Sequence, residues 1–121
     1  MTTEYPIEYN HGDYKYWYIF ALENQQDTFN MQSLTDVVNA NISCYIYRKD
    51  QQDQQWTYTG PLNDETAIPF ELIYEDGLNI QGTLTLFHSD SMEMNYVFMD
   101  AYMGLDLEEH FEGNVAAINN M

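Results

Sequence analysis

The sequence has little positive charge. Lys15, Arg48 and Lys49 stand against twenty Asp and Glu, a formal net charge of −17 with the three histidines neutral. A field of that sign repels phosphates and argues against unassisted binding to DNA, RNA or an anionic membrane. Cysteine is nearly absent too. Cys44 stands alone, so an internal disulfide framework is impossible and nothing signals an oxidising compartment. No apolar run approaches the ~18 residues of a membrane span. The opening stretch MTTEYPIEYNHGDYKYW has neither a basic n-region nor an apolar h-region. These absences lead to the expectation of a cytoplasmic protein.

Catalytic signatures are missing as well. There is no GxSxG, no phosphate-binding glycine loop and no CxxC, and neither HExxH nor the DxDxDG calcium loop occurs. Asp106 and His110, four apart on an expected helix, have the spacing to share a divalent ion, but nothing marks a third ligand. The reading is therefore a protein that is not an enzyme, with no cofactor and no specific metal site.

What is present is a core. The chain is 45% hydrophobic and 16% aromatic, with eleven Tyr, six Phe and two Trp, far from the profile of a disordered acidic chain. At 121 residues it suits one domain, residues 1–121. Three cations neutralise few of the anions, so most carboxylates must lie unpaired on the surface, where mutual repulsion costs stability. Solubility needs a net charge of only about 2–8, so the excess calls for a further explanation.

The segment Tyr14–Leu22, YKYWYIFAL, is aromatic and β-branched without a turn former and reads as a central strand. Ser33 and Asp36 resemble a capping box, with Leu34, Val37, Val38 and Ile42 on one helical face. Cys44–Lys49 and Gln55–Thr59 read as strands around the polar DQQDQQ loop.

Further on, hairpin register is testable against the period-2 pattern. A three-residue loop Glu75-Asp76-Gly77, with Gly77 left-handed, pairs Tyr74 with Leu78, Leu72 with Ile80 and Phe70 with Gly82, and makes one face apolar. A second loop, Ser89-Asp90-Ser91, pairs Leu86 with Met94, Leu84 with Tyr96 and Gly82 with Phe98. The product is an antiparallel meander whose other face carries Glu71, Ile73 and Glu75, then Asn79, Gln81, Thr83 and Thr85, then Glu93, Asn95 and Val97. Neighbours on such a face lie ~6.6–6.8 Å apart along a strand and about 5 Å across strands, close to the separation of successive phosphates. In LDLEEHFEG, Asp106 and Glu109 form a helix start, Leu107, Phe111, Val115 and Ile118 a buried stripe, and Asp106, Glu108, Glu109 and Glu112 the opposite side. The expected fold class is α+β: an antiparallel β-sheet of five or six strands with two short helices, including a C-terminal meander and helix.

In composition, and in its acidic sheet face and helix, the chain resembles the DNA-mimic proteins, which set Asp and Glu where a duplex sets phosphates. The family shares charge geometry and no sequence motif. The resemblance implies a basic DNA-binding protein as partner, such as the histone-like nucleoid protein HU, a restriction enzyme, uracil-DNA glycosylase or a CRISPR effector. HU leads because it binds DNA with little sequence demand. The residues expected to meet such a partner are Glu71, Glu75, Asp76, Glu93, Asp106, Glu108, Glu109 and Glu112. Unrelieved charge favours a monomer over an oligomer. The alternative function is an immunity protein neutralising a cationic nuclease toxin, and salt adaptation is a third explanation of the charge.

Overall fold

The computed structural model describes residues 2–23, 42–91 and 94–118. Among these residues there are eight strands and no helix: β1 (Thr2–His11), β2 (Tyr14–Glu23), β3 (Ile42–Arg48), β4 (Gln55–Gly60), β5 (Ile68–Leu72), β6 (Leu78–Ser89), β7 (Met94–Leu105) and β8 (Glu109–Ala117). They form two four-stranded antiparallel sheets, each a meander of sequence neighbours, in the orders β1-β2-β3-β4 and β5-β6-β7-β8. The architecture is all-β, which overturns the α+β expectation.

One apolar core joins the sheets. Phe20, Ile42 and Ile46 from the first and Ile80, Leu84, Met99 and Met103 from the second are all fully buried in it, each worth about 1.5–3 kcal/mol on removal from water. β1 runs beside β7 and β8, and β4 beside β5. The near-continuous apolar run of β2 follows from its place between β1 and β3. Tyr18, Phe20 and Leu22 enter the shared core, whereas Ile19 and Ala21 pack with Tyr47, Trp17 and Tyr45 in a second cluster. Cys44 is buried in the shared core, and burial pushes its thiol up to about 12.

The β5–β6 hairpin has the expected register, with Leu72 opposite Ile80 and Phe70 opposite Gly82. Gly77 takes a positive φ of 82°. The β6–β7 hairpin does not follow expectation. Ser89 pairs with Met94, Leu86 with Val97, Leu84 with Met99 and Gly82 with Ala101. An odd shift of three residues turns β7 over, so Val97, Met99, Ala101 and Met103 enter the core and Asn95 is buried with them. The expected register would have carried Asp100 inward. Burying an unpaired carboxylate is far costlier than exchanging one apolar set for another, and Asp100 lies on the outer face. Gly82 faces Phe70 and Ala101 instead of Phe98. A Cβ there would strike the Asp100 carbonyl oxygen and the Ala101 backbone, so only glycine allows the close approach.

The expected C-terminal helix is strand β8, hydrogen-bonded to β7. Phe111 and Val115 are four residues apart, one helical turn but also two strand repeats, so their spacing suits both periods. Asp106, read as a helix cap, sits in a turn in which Asp106 (φ 56°) and Leu107 (φ 53°) are both left-handed. The Glu108 N–H donates to the Leu105 carbonyl at 3.2 Å, the signature of a type I′ hairpin turn. The other expected helix, from Ser33 to Asn41, lies outside the described residues, and its final apolar position, Ile42, opens β3.

Candidate functional site: the acidic turn end

Both sheets are meanders, so their tight turns collect at sheet ends, and contacts between the sheets place four of them, β1–β2, β3–β4, β5–β6 and β7–β8, at the same end, with the β6–β7 turn at the other. Tyr9, near the end of β1, donates a hydrogen bond to Glu108 in the β7–β8 turn and accepts one from the Leu105 N–H at 3.2 Å. His11 Nδ1 lies 3.8 Å from the same Glu108 carboxylate. Arg48, at the end of β3, reaches Asp76 in the β5–β6 turn.

Each turn brings carboxylates. The β1–β2 turn supplies Asp13, the β3–β4 turn Asp50 and Asp53, the β5–β6 turn Glu75 and Asp76, and the β7–β8 connection Asp106 and Glu108, with Glu109 opening β8. All are exposed. Asp13, Asp53, Glu75, Asp106 and Glu109 make no ion pair with any described residue. The chain's three cations are at this end too, but they remove little of its charge. Lys15 pairs with Glu8 at 3.2 Å, Arg48 is turned inward, and Lys49 is left as one exposed cation among eight turn-end carboxylates.

Arg48 is the only charged side chain buried among the described residues, 1% exposed in a protein that exposes its acids. Its guanidinium lies between the rings of Tyr16 and Tyr74, 5.2 and 4.8 Å from their centroids. Nε and Nη2 donate to Asp50 at 2.9 and 2.6 Å, and Nη1 donates to both Asp76 oxygens at 2.8 and 2.9 Å. Burial opposes the charge, but hydrogen bonds donated to the two carboxylates and their attraction outweigh it and raise the Arg48 pKa. The same hydrogen bonds hold the Asp50 and Asp76 carboxyls below the ordinary range. Asp76 therefore has a structural task that sequence did not assign: with Arg48 it ties the β5–β6 turn to the first sheet.

The other expected partner residues divide. Glu75, Asp106, Glu108 and Glu109 join Asp76 at the turn end, Asp106 and Glu108 through a hairpin instead of a helix. Glu71 and Glu112 lie on the outer face of the second sheet, on its two opposite edge strands. Glu93 lies outside the described residues. Of the outer face expected for the meander, Glu71, Asn79, Gln81, Thr83 and Thr85 remain, but Asn95 and Val97 have moved inside. Asn95 meets His88 Nδ1 at 2.7 Å, and its carbonyl accepts from the Ile118 N–H at 2.8 Å. In their place the face gains Asp100 and Tyr102. Asp13, Asp50 and Asp53 are not marked in the sequence, because nothing in a linear reading brings the β1–β2 and β3–β4 turns beside those of the second sheet.

No family model, curated protein sequence or solved structure matches this chain. No helix among the described residues is long and apolar enough to cross a membrane.

Proposed function

We propose that this protein is a DNA mimic, a monomeric, cytoplasmic, non-enzymatic protein whose surface carboxylates occupy the DNA-binding site of a basic DNA-binding protein, HU being the first candidate. The observation that carries the reading is the turn end: four turns from two sheets project acids in one direction, and five of those acids have no ion pair among the described residues. A groove that binds duplex DNA gains much of its affinity from releasing the counterions of phosphates. A fixed array of carboxylates offers it the same charge without base edges. Complementary fields also speed association and make it sensitive to salt.

The test uses HU bound to a fluorescently labelled duplex at low salt. Addition of the protein is expected to displace the duplex, with competition weakening as salt rises. A triple reversal, Asp53→Lys, Glu75→Lys and Glu109→Lys, is expected to weaken competition at least tenfold while the far-UV CD spectrum is retained. Failure to displace DNA from HU, or from any basic protein recovered on an affinity column of this protein, sinks the reading.

One observation favours the immunity-protein alternative. Tyr14 is 70% exposed beside Asp13, and an exposed Tyr within a charged rim suits the anchor of one dedicated interface. Capture of a single nuclease that DNA does not displace would select it.

A further inference from the structure

The outer face of the second sheet carries a ligand set separate from the turn end. Strand β8 alternates, so His110 and Glu112 point to the same side, and Glu112 is the direct cross-strand partner of Asp100 on β7. Two like charges placed opposite each other destabilise a sheet, and this face has neither Lys nor Arg to separate them. The third group is an imidazole: His110 Nε2 lies 2.7 Å from Asp100 Oδ1. One donor atom each from Asp100, His110 and Glu112 lie within 4.8 Å of one another. Ligands sharing a zinc-sized ion at 2.0–2.2 Å stand roughly 3 Å apart, so small side-chain rotations close the set. The His110 ring is held by stacking on Tyr102, with centroids 4.6 Å apart and planes 23° from parallel.

We propose that Asp100, His110 and Glu112 bind one divalent first-row transition ion of the zinc class. One imidazole and two carboxylates select such an ion over Mg2+ and Ca2+, which take oxygen ligands. Three protein ligands on an exposed face leave at least one coordination position open. Asp100 also lines an open groove of about 700 Å³ with Trp56, Glu71, Gln81 and Tyr102, so the ligand set borders that groove. The ion would bring positive charge to a face that has no Lys or Arg. The inference is independent of the turn end that carries the DNA-mimic reading; of the three side chains only Glu112 is among the residues expected from sequence to meet a DNA-binding partner.

The experiment is calorimetric titration of the intact protein with ZnCl2, in buffer containing 0.5 M NaCl and excess Mg2+ to suppress loose condensation on the acidic surface. One-to-one binding is expected. His110→Ala and, separately, Glu112→Gln are expected to weaken it at least tenfold, while Asp64→Asn with Glu65→Gln, which removes two charges elsewhere, leaves it unchanged. Substituted Co2+ is expected to give a d–d absorption band that His110→Ala abolishes. Because His110 and Glu112 are exposed, CD melting will show whether each variant folds as the parent does. Absence of binding in salt, or affinity that His110→Ala leaves intact, overturns the proposal.

Discussion

The β5–β6 and β7–β8 turns lie side by side at the same end of the same sheet, yet they are built by different means. The first takes its left-handed position from Gly77, at no steric cost. The second places Asp106 and Leu107 there, each costing roughly 1–2 kcal/mol relative to the right-handed conformation. Their tethers differ in the same sense. The glycine turn is held by an ion pair between the buried Arg48 and the half-exposed Asp76, whereas the strained turn is held by Tyr9, whose hydroxyl meets Glu108 and the Leu105 N–H. A turn without glycine persists when the structure around it fixes its conformation. Turn identity in this protein is thus set partly by local chemistry and partly by the facing sheet.

The comparison is broken most severely at Arg48. Asp50→Asn with Asp76→Asn leaves the guanidinium buried without a counter-charge, and because both carboxylates are about half exposed a loss of about 2–3 kcal/mol in chemical denaturation is expected. Acid does the same reversibly and more mildly, since both carboxylates are about half exposed. Their native pKa values lie below the ordinary 3.8. They therefore stabilise the fold above that value and cease to do so as pH falls through the lowered ones. Melting temperature should drop over that acid range, and drop less in the double variant than in the parent.

The smallest effects sharpen the contrast by sign. Gly77→Ala leaves room for its Cβ, which would lie 3.4 Å from Leu105 Cδ1. Its expected cost of ~1–2 kcal/mol is therefore conformational. Leu107→Gly should instead stabilise by ~0.5–1 kcal/mol, because relief of strain exceeds the entropy that glycine loses on folding. Equal destabilisation by both changes in urea melts would show that the Leu107 side chain, and not its backbone, decides that turn.

The same contrast explains what was legible in the sequence. The β5–β6 register could be read because Gly77 fixed the loop and the flanking residues alternate cleanly. The β6–β7 register could not, because MNYVFMDAYM is apolar on both faces and only Asp100 marks the outside. Strand β1 is hard to read from sequence because Pro6 interrupts its pattern, a proline that an edge strand tolerates. The β7–β8 hairpin imitated a capped helix, with acids where a first turn favours them and apolar residues four apart. At the candidate site, exposure of the acids followed from composition. Their convergence depends on topology, and the inward turn of Arg48 on two tyrosines and two turns far apart in the chain.

Each sheet is made from one uninterrupted half of the sequence, and the described halves are joined only through residues 61–67. Among the described residues, nothing threads from one sheet through the other. A copy opened at that link would present both halves of its core, and a second opened copy would present the same pair. Exchange of whole halves would rebuild every strand pairing and the Arg48–Asp76 tie between chains instead of within one. The shortest route from two separate chains to an intertwined pair is therefore a reciprocal swap, with the length of the link setting how readily the halves trade places.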